Sequence, residues 1–223
     1  MSTEFTVSPL STFDVEKKAL FILAIHTVFY GADSISSDCK VVDIEDIADR
    51  ELYDLCGYKL CFSPRQDFSL QELGKTNFLE KIVYLRQEEF ALDMPSPRAR
   101  FTMAHEAAHV FLHSSQLEDE KKIAARLEAG PPGKLYLSAE WQANKMAAAM
   151  LIPFPALLDE VENTGYGNCN NLVRNIASRF NVSLECASKR LETLGSFTKD
   201  QHQKLLIYAK RMRQILLQKK LSH

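Results

Sequence analysis

Much of what would class this protein at a glance is missing from its sequence. The longest apolar run, residues 19–30, falls short of the ~20 residues a membrane-spanning helix needs and contains His26, so no membrane protein is expected. The first residues carry neither a basic nor an apolar signal region, so no secretory leader is expected either. Charge of one sign is not in excess. Lys and Arg total 27 against 29 Asp and Glu, a net charge of −2, so the molecule as a whole lacks the basic footprint of a nucleic-acid binder. Cysteines number five, an odd and scattered set (Cys39, Cys56, Cys61, Cys169, Cys186) with no Cys-x-x-Cys spacing. That excludes a disulfide framework and a structural zinc knuckle, and it fits a reducing cytoplasm. No internal repeat or low-complexity segment is present. What remains is an ordinary globular composition, 46% hydrophobic and 25% charged over 223 residues. This is enough for one large domain, or one domain with a small appendage.

The informative stretch is residues 98–113, which contain His105-Glu106-Ala107-Ala108-His109. Residues four apart share a helix face, so two imidazoles at this spacing can bind one Zn²⁺ at ~2.0–2.1 Å each. The intervening Glu106 can then take a proton from a water on that ion. With His at 6 of 223 residues, an accidental H-E-x-x-H arises in roughly one such chain per hundred, so context matters. Ser96 offers an N-cap, Pro97 suits the first helical position, and no Gly or Pro follows until Gly130. A helix can therefore run through the motif.

A catalytic zinc site takes three protein ligands and keeps one position open. The long H-E-x-x-H-x-x-G-x-x-H form is excluded, because Leu112 and Ser115 stand where Gly and His would be needed. His113 lies roughly 80° around the helix from His105, which suits an oxyanion-facing or second-shell role better than ligation. Glu140 opens a further helix, sharing a face with Asn144, Ala147 and Leu151, and Ala143, Ala147 and Ala148 allow close approach to the Ala-rich motif helix. On this pattern alone Glu140 is either the third ligand or a first-turn carboxylate favoured by the helix dipole.

Arg98, Arg100, Phe101, Thr102, Ala104, His105, Glu106, Ala108, His109 and His113, followed by Glu140, Ala143, Asn144, Met146, Ala147, Ala148, Leu151 and Pro153, make a pair of motifs that resembles the ImmA/IrrE family of bacterial metallopeptidases. The resemblance covers roughly residues 40–195. It implies that His105, His109 and Glu140 bind Zn²⁺ and that Glu106 is the general base. It also implies an α+β, zincin-like domain, mostly helical, with a small sheet beside the motif helix. Ala108, Met146, Met150 and Ile152 depart from the family's usual Gly, Phe, Leu and Met, and none is a ligand.

Along the chain, residues 1–10 read as loose, residues 13–30 as a helix with His26 as a core histidine, and residues 43–55 as a second helix stopped by Gly57. Residues 58–62 and 81–85 read as strands, 64–78 as polar and turn-like, and 89–92 as a further edge strand leading into the motif helix. An edge strand there offers backbone pairing to an extended peptide. Residues 116–127 form a charged helix, and 130–133 are Gly-Pro-Pro-Gly. Residues 172–180 and 184–194 read as a helical pair capped by Ser183. Glu185 and Glu192 on the second helix favour packing over DNA reading. Residues 199–220 form a basic amphipathic helix, with Leu205, Tyr208, Ala209, Met212, Ile215 and Leu216 on one stripe, suited to docking on the body or on a second copy of the chain. The expected division is a metallopeptidase domain over 1–195 (N-terminal helix 13–30, core 40–160, helical pair 170–195) and a C-terminal helical extension over 196–223.

The function these readings point to is zinc-dependent endopeptidase. Asn144 is placed to orient a ligand imidazole from the second shell, with Tyr136 and Tyr166 as further oxyanion candidates. The resemblance implies a protein substrate, a DNA-binding helix-turn-helix repressor of stress or mobile-element genes. The competing class is a non-catalytic, metal-containing regulator or toxin-antitoxin-type binding protein acting through its helical C-terminus.

Overall fold

The computed structural model describes residues 6–31, 33–91, 95–128, 133–164 and 169–222. The chain divides into two compact units, Met1–Thr12 with Ile44–Ala147, and Phe13–Asp43 with Ala148–His223. The fold is α+β, zincin-like and mostly helical with a small sheet, as the resemblance implied.

In the first unit, helix α2 (Ile44–Cys56) opens on Glu45 and Asp46, which favour a helix N-terminus, and buries Ile44, Ile47, Ala48 and Leu52. Helix α1 (Thr12–Tyr30) precedes it in sequence and, from Phe13 on, belongs to the second unit. Gly57, at φ 71°, supplies the left-handed residue that ends α2. Strands β1 (Lys59–Ser63), β2 (Gly74–Asn77) and β3 (Ile82–Arg86) form a sheet in the order β1-β3-β2. β1 runs parallel to β3 with Lys59 opposite Ile82, and β2 runs antiparallel with Thr76 opposite Val83. Val83 and Leu85 point into the core, alternating with half-buried neighbours. The β2–β3 turn is held by Asn77, whose Oδ1 accepts from the backbone N–H of Leu79 and of Glu80.

Two expectations are corrected here. The span 64–78 is not only turn, because it contains β2. Gly-Lys-Thr-Asn has little strand propensity of its own, and pairing with β3 supplies what the residues lack. The expected strand over 89–92 is instead a short 3₁₀ turn, Gln87–Glu89, with Phe90 at φ −116°, ψ 4°. Glu88 there accepts from the backbone N–H of Arg65, and Glu89 pairs with Arg86. Leu92 lies outside the described residues.

Helix α3 (Pro97–His113) carries the H-E-x-x-H motif and is capped by Ser96, whose Oγ accepts from Ala99 N at 3.2 Å. It packs on α2 and on the sheet, burying Ala99, Met103, Ala104, Ala107, Ala108 and Val110. After α4 (Glu120–Glu128), Ser138 Oγ accepts from Trp141 N to start α5 (Ala139–Leu151). The N-terminal segment is fastened alongside, with Val7 N donating to Leu137 O at 2.8 Å and Thr6 bridging Ser138.

The second unit is helical among its described residues. It comprises α1 (Thr12–Tyr30, from Phe13 on), α6 (Phe154–Thr164), α7 (Cys169–Phe180), α8 (Leu184–Gly195) and α9 (Lys199–Leu221). Asn181 takes φ 50° between α7 and α8, a conformation Asn tolerates better than most side chains, and Ser183 caps α8 through Cys186 N. Ile176, Phe180, Ala187 and Leu194 are buried, so this pair packs inward. His26 is fully buried within α1. α9 opens with a capping box of Thr198 and Gln201. It buries Leu205, Ala209 and Leu216, while Ile215 from the expected stripe faces solvent. Lys220 Nζ donates to Val28 O at 2.6 Å, near the C-terminal end of α1.

Candidate metal centre

Helices α3 and α5 converge on one point in the first unit. His105 and His109, four residues apart, turn their Nε2 atoms to within 2.9 Å of each other. Glu140, in the first turn of α5, reaches both, with Oε2 3.3 Å from His105 Nε2 and Oε1 3.4 Å from His109 Nε2. This is the one group of three such donors among the described residues that lies close enough together to hold a metal ion. Tetrahedral ligands at ~2.0–2.1 Å stand roughly 3.3 Å apart, so two of the three separations match, and the third, between the two imidazoles, would have to widen from 2.9 Å by a few tenths of an ångström. The donor set fits a divalent ion of the zinc type.

Electrostatics bind the trio together. Burial pulls the His105 imidazole down, but the Glu140 hydrogen bond and the charges of Glu106 and Glu140 outweigh it, and the net shift is upward. Burial raises the Glu140 carboxyl, yet hydrogen bonds from His105 and His109 hold it well below the usual carboxylate range. Glu140 is therefore an anion pinned by two imidazoles, and a cation at their common point would satisfy all three.

Each surrounding group has a definable task. Asn144 Oδ1 lies 3.1 Å from His105 Nδ1, so an Nδ1–H there leaves Nε2 as the free donor atom. Glu106 is almost buried and its Oε2 accepts from Thr76 Oγ1 at 2.7 Å. β2 comes close enough for this because of Gly74. A Cβ there would stand 2.9 Å from side-chain carbons of Leu85 and Thr102 and 3.1 Å from Glu106 Cγ. Sequence reasoning missed Thr76 and Gly74, having assigned their span to a turn.

His113 needs correction in part. It is fully buried, with Nε2 3.1 Å from Gln142 Oε1 and Nδ1 3.3 Å from His109 Nδ1. Both ring nitrogens are engaged, so none remains to donate to an oxyanion, and its partner is a metal-site imidazole. Burial and the His109 charge push its imidazole down to about 3, so it is neutral near pH 7. Tyr136 leaves its ring exposed near Lys134 Nζ and contributes only its carbonyl, to Gln142. Tyr166 lies outside the described residues.

A helix-borne His-Glu-x-x-His, a Glu from the next long helix and a sheet beside the first define a zincin-like domain. Residues 91–192 match the family described as the IrrE N-terminal-like domain, a peptidase family, and all three donors fall inside the match. Over this stretch, a little under half of the chain, the protein is similar to the IrrE-like family. Among curated proteins none matches significantly. A Mycobacterium tuberculosis transcriptional regulator of solved structure is similar at 17% identity and TM-score 0.47, over 86% of this chain. The chain spans about half of that regulator's length, 54%. No helix among the described residues is long and apolar enough to cross a membrane.

Proposed function

We propose that the protein is a zinc-dependent endopeptidase of the cytoplasm. The observation that carries this is a nearly buried carboxylate, Glu106, clamped by Thr76 next to the convergent His105, His109 and Glu140. A purely structural zinc site has no need of a base held beside it. Zinc at this point would supply Lewis acidity, acidifying a water and polarising a peptide carbonyl. The chain's own residues do the rest. Glu106 Oε2 is occupied by the Thr76 hydroxyl, which leaves Oε1 to take a proton from the attacking water and return it to the leaving amine. β2 is an edge of the sheet, and an extended substrate pairing with it would run along the side of the sheet that holds Thr76.

The resemblance to ImmA/IrrE peptidases supports a protein substrate, a helix-turn-helix repressor. Four thiols, Cys39, Cys56, Cys61 and Cys186, are unbridged, which agrees with a reducing compartment. The test is incubation of the purified protein with a candidate repressor, with and without chelator, beside the Glu106→Gln variant. Cleavage by the wild type alone, abolished by chelator, is the expected result. Full cleavage by Glu106→Gln would remove Glu106 as base. Metal binding without cleavage of any repressor would favour a non-catalytic regulator.

A further inference from the structure

The interior side of His109 leads away from the metal site along an unbroken line of hydrogen bonds, and each donor and acceptor on it can be assigned from the far end. Gln142 is fully buried on α5. Its Nε2 lies 2.9 Å from the backbone carbonyl of Ser8 and 2.8 Å from that of Tyr136. Carbonyls only accept, so the amide nitrogen must face them and Oε1 must face the other way. Oε1 lies 3.1 Å from His113 Nε2. Being an acceptor, it requires that nitrogen to carry the proton. A neutral imidazole protonated at Nε2 offers a lone pair at Nδ1, and His113 Nδ1 lies 3.3 Å from His109 Nδ1. His109 must then be the donor there, so in its neutral form, the form that can bind a cation, its lone pair lies at Nε2, the atom facing His105 and Glu140.

We propose that Gln142 and His113 are positioning residues that fix the tautomer and ring orientation of His109, with the N-terminal segment at Ser8 as the anchor of the chain. This rests on the reading of His105, His109 and Glu140 as ligands and adds the device that keeps one of them ready. The two imidazoles are served differently. His105 is held directly by Asn144, while His109 is held through a fully buried relay that ends on backbone carbonyls contributed by residues 8 and 136. Partners of this kind are worth roughly tenfold to a hundredfold in metal affinity.

The first measurement needs no variant. Long-range ¹H–¹⁵N spectra of the metal-free full chain, labelled at histidine, should show His113 protonated at Nε2 and His109 at Nδ1. His113 protonated at Nδ1 would overturn the proposal. The second is competition for zinc against a chelating indicator. Gln142→Met and His113→Leu should each weaken zinc binding about tenfold or more, and the double variant should be no weaker than His113→Leu, because both act through one bond. Asn144→Ala should multiply with either. Wild-type affinity in Gln142→Met, or losses that multiply between Gln142→Met and His113→Leu, would refute the relay. Should Gln142→Met fail to fold, the wild-type spectra still decide. Should the wild type bind no zinc, the peptidase reading falls, while the metal-free spectra score the relay separately.

Discussion

The two compact units handle buried charge in opposite ways. In the second, Glu16 and Arg190 are both almost completely buried and close on each other, with Arg190 Nη2 2.8 Å from Glu16 Oε2 and its Nε donating to Ile152 O at 3.1 Å. In the first, Glu140 and two imidazoles converge on a point rather than pairing off one to one, and Glu140 keeps 31% of its side-chain surface exposed. A closed pair is complete without help, and removing one partner leaves an uncompensated buried charge. An open trio offers three donors that one cation would satisfy together, and perturbed groups converging in this way cluster at working sites.

Perturbations should separate the two. The largest effect expected is for His109→Ala, which should abolish stoichiometric zinc binding in elemental analysis, while leaving circular dichroism helical. Glu106→Gln comes next, keeping zinc and losing about 10²–10⁴-fold of the peptidase rate. Arg190→Met should destabilise by ~3–5 kcal/mol in denaturant titration without changing metal content. A Glu16→Leu/Arg190→Met double variant should recover most of that loss. Stripping zinc from wild type should lower stability by about 2.7 kcal/mol relative to protein with free zinc at a hundred times Kd. The smallest effect concerns thiols. Burial raises Cys39 and Cys186 to about 11, so at pH 7.5 an alkylating reagent should label exposed Cys169 well before either, as read by mass spectrometry.

The parts of this molecule visible in one dimension are those whose causes are local. The α3 start could be read because Ser96 and Pro97 sit at its first turn, and the capping oxygen does bond Ala99 N. The helix lengths and the α7–α8 turn at Asn181-Val182-Ser183 were legible for the same reason. β2 was not, because Gly74 and Thr76 gain their meaning from β3 across the ladder and from Glu106, 30 residues away from Thr76. Gln142 was hidden for a stronger version of that reason. Its anchor is a carbonyl 134 residues distant, and only the assembled fold shows which way its amide must face. His113 stands outside the group of donors close enough to share an ion, and its depth, which removes the oxyanion role, depends on packing that periodicity does not report.

The most direct test of the central claim is zinc per chain in wild type and in Glu140→Ala, measured together on folded protein. One ion per wild-type chain and none in the variant is the result expected of three donors sharing one point. Equal zinc in both would contradict it.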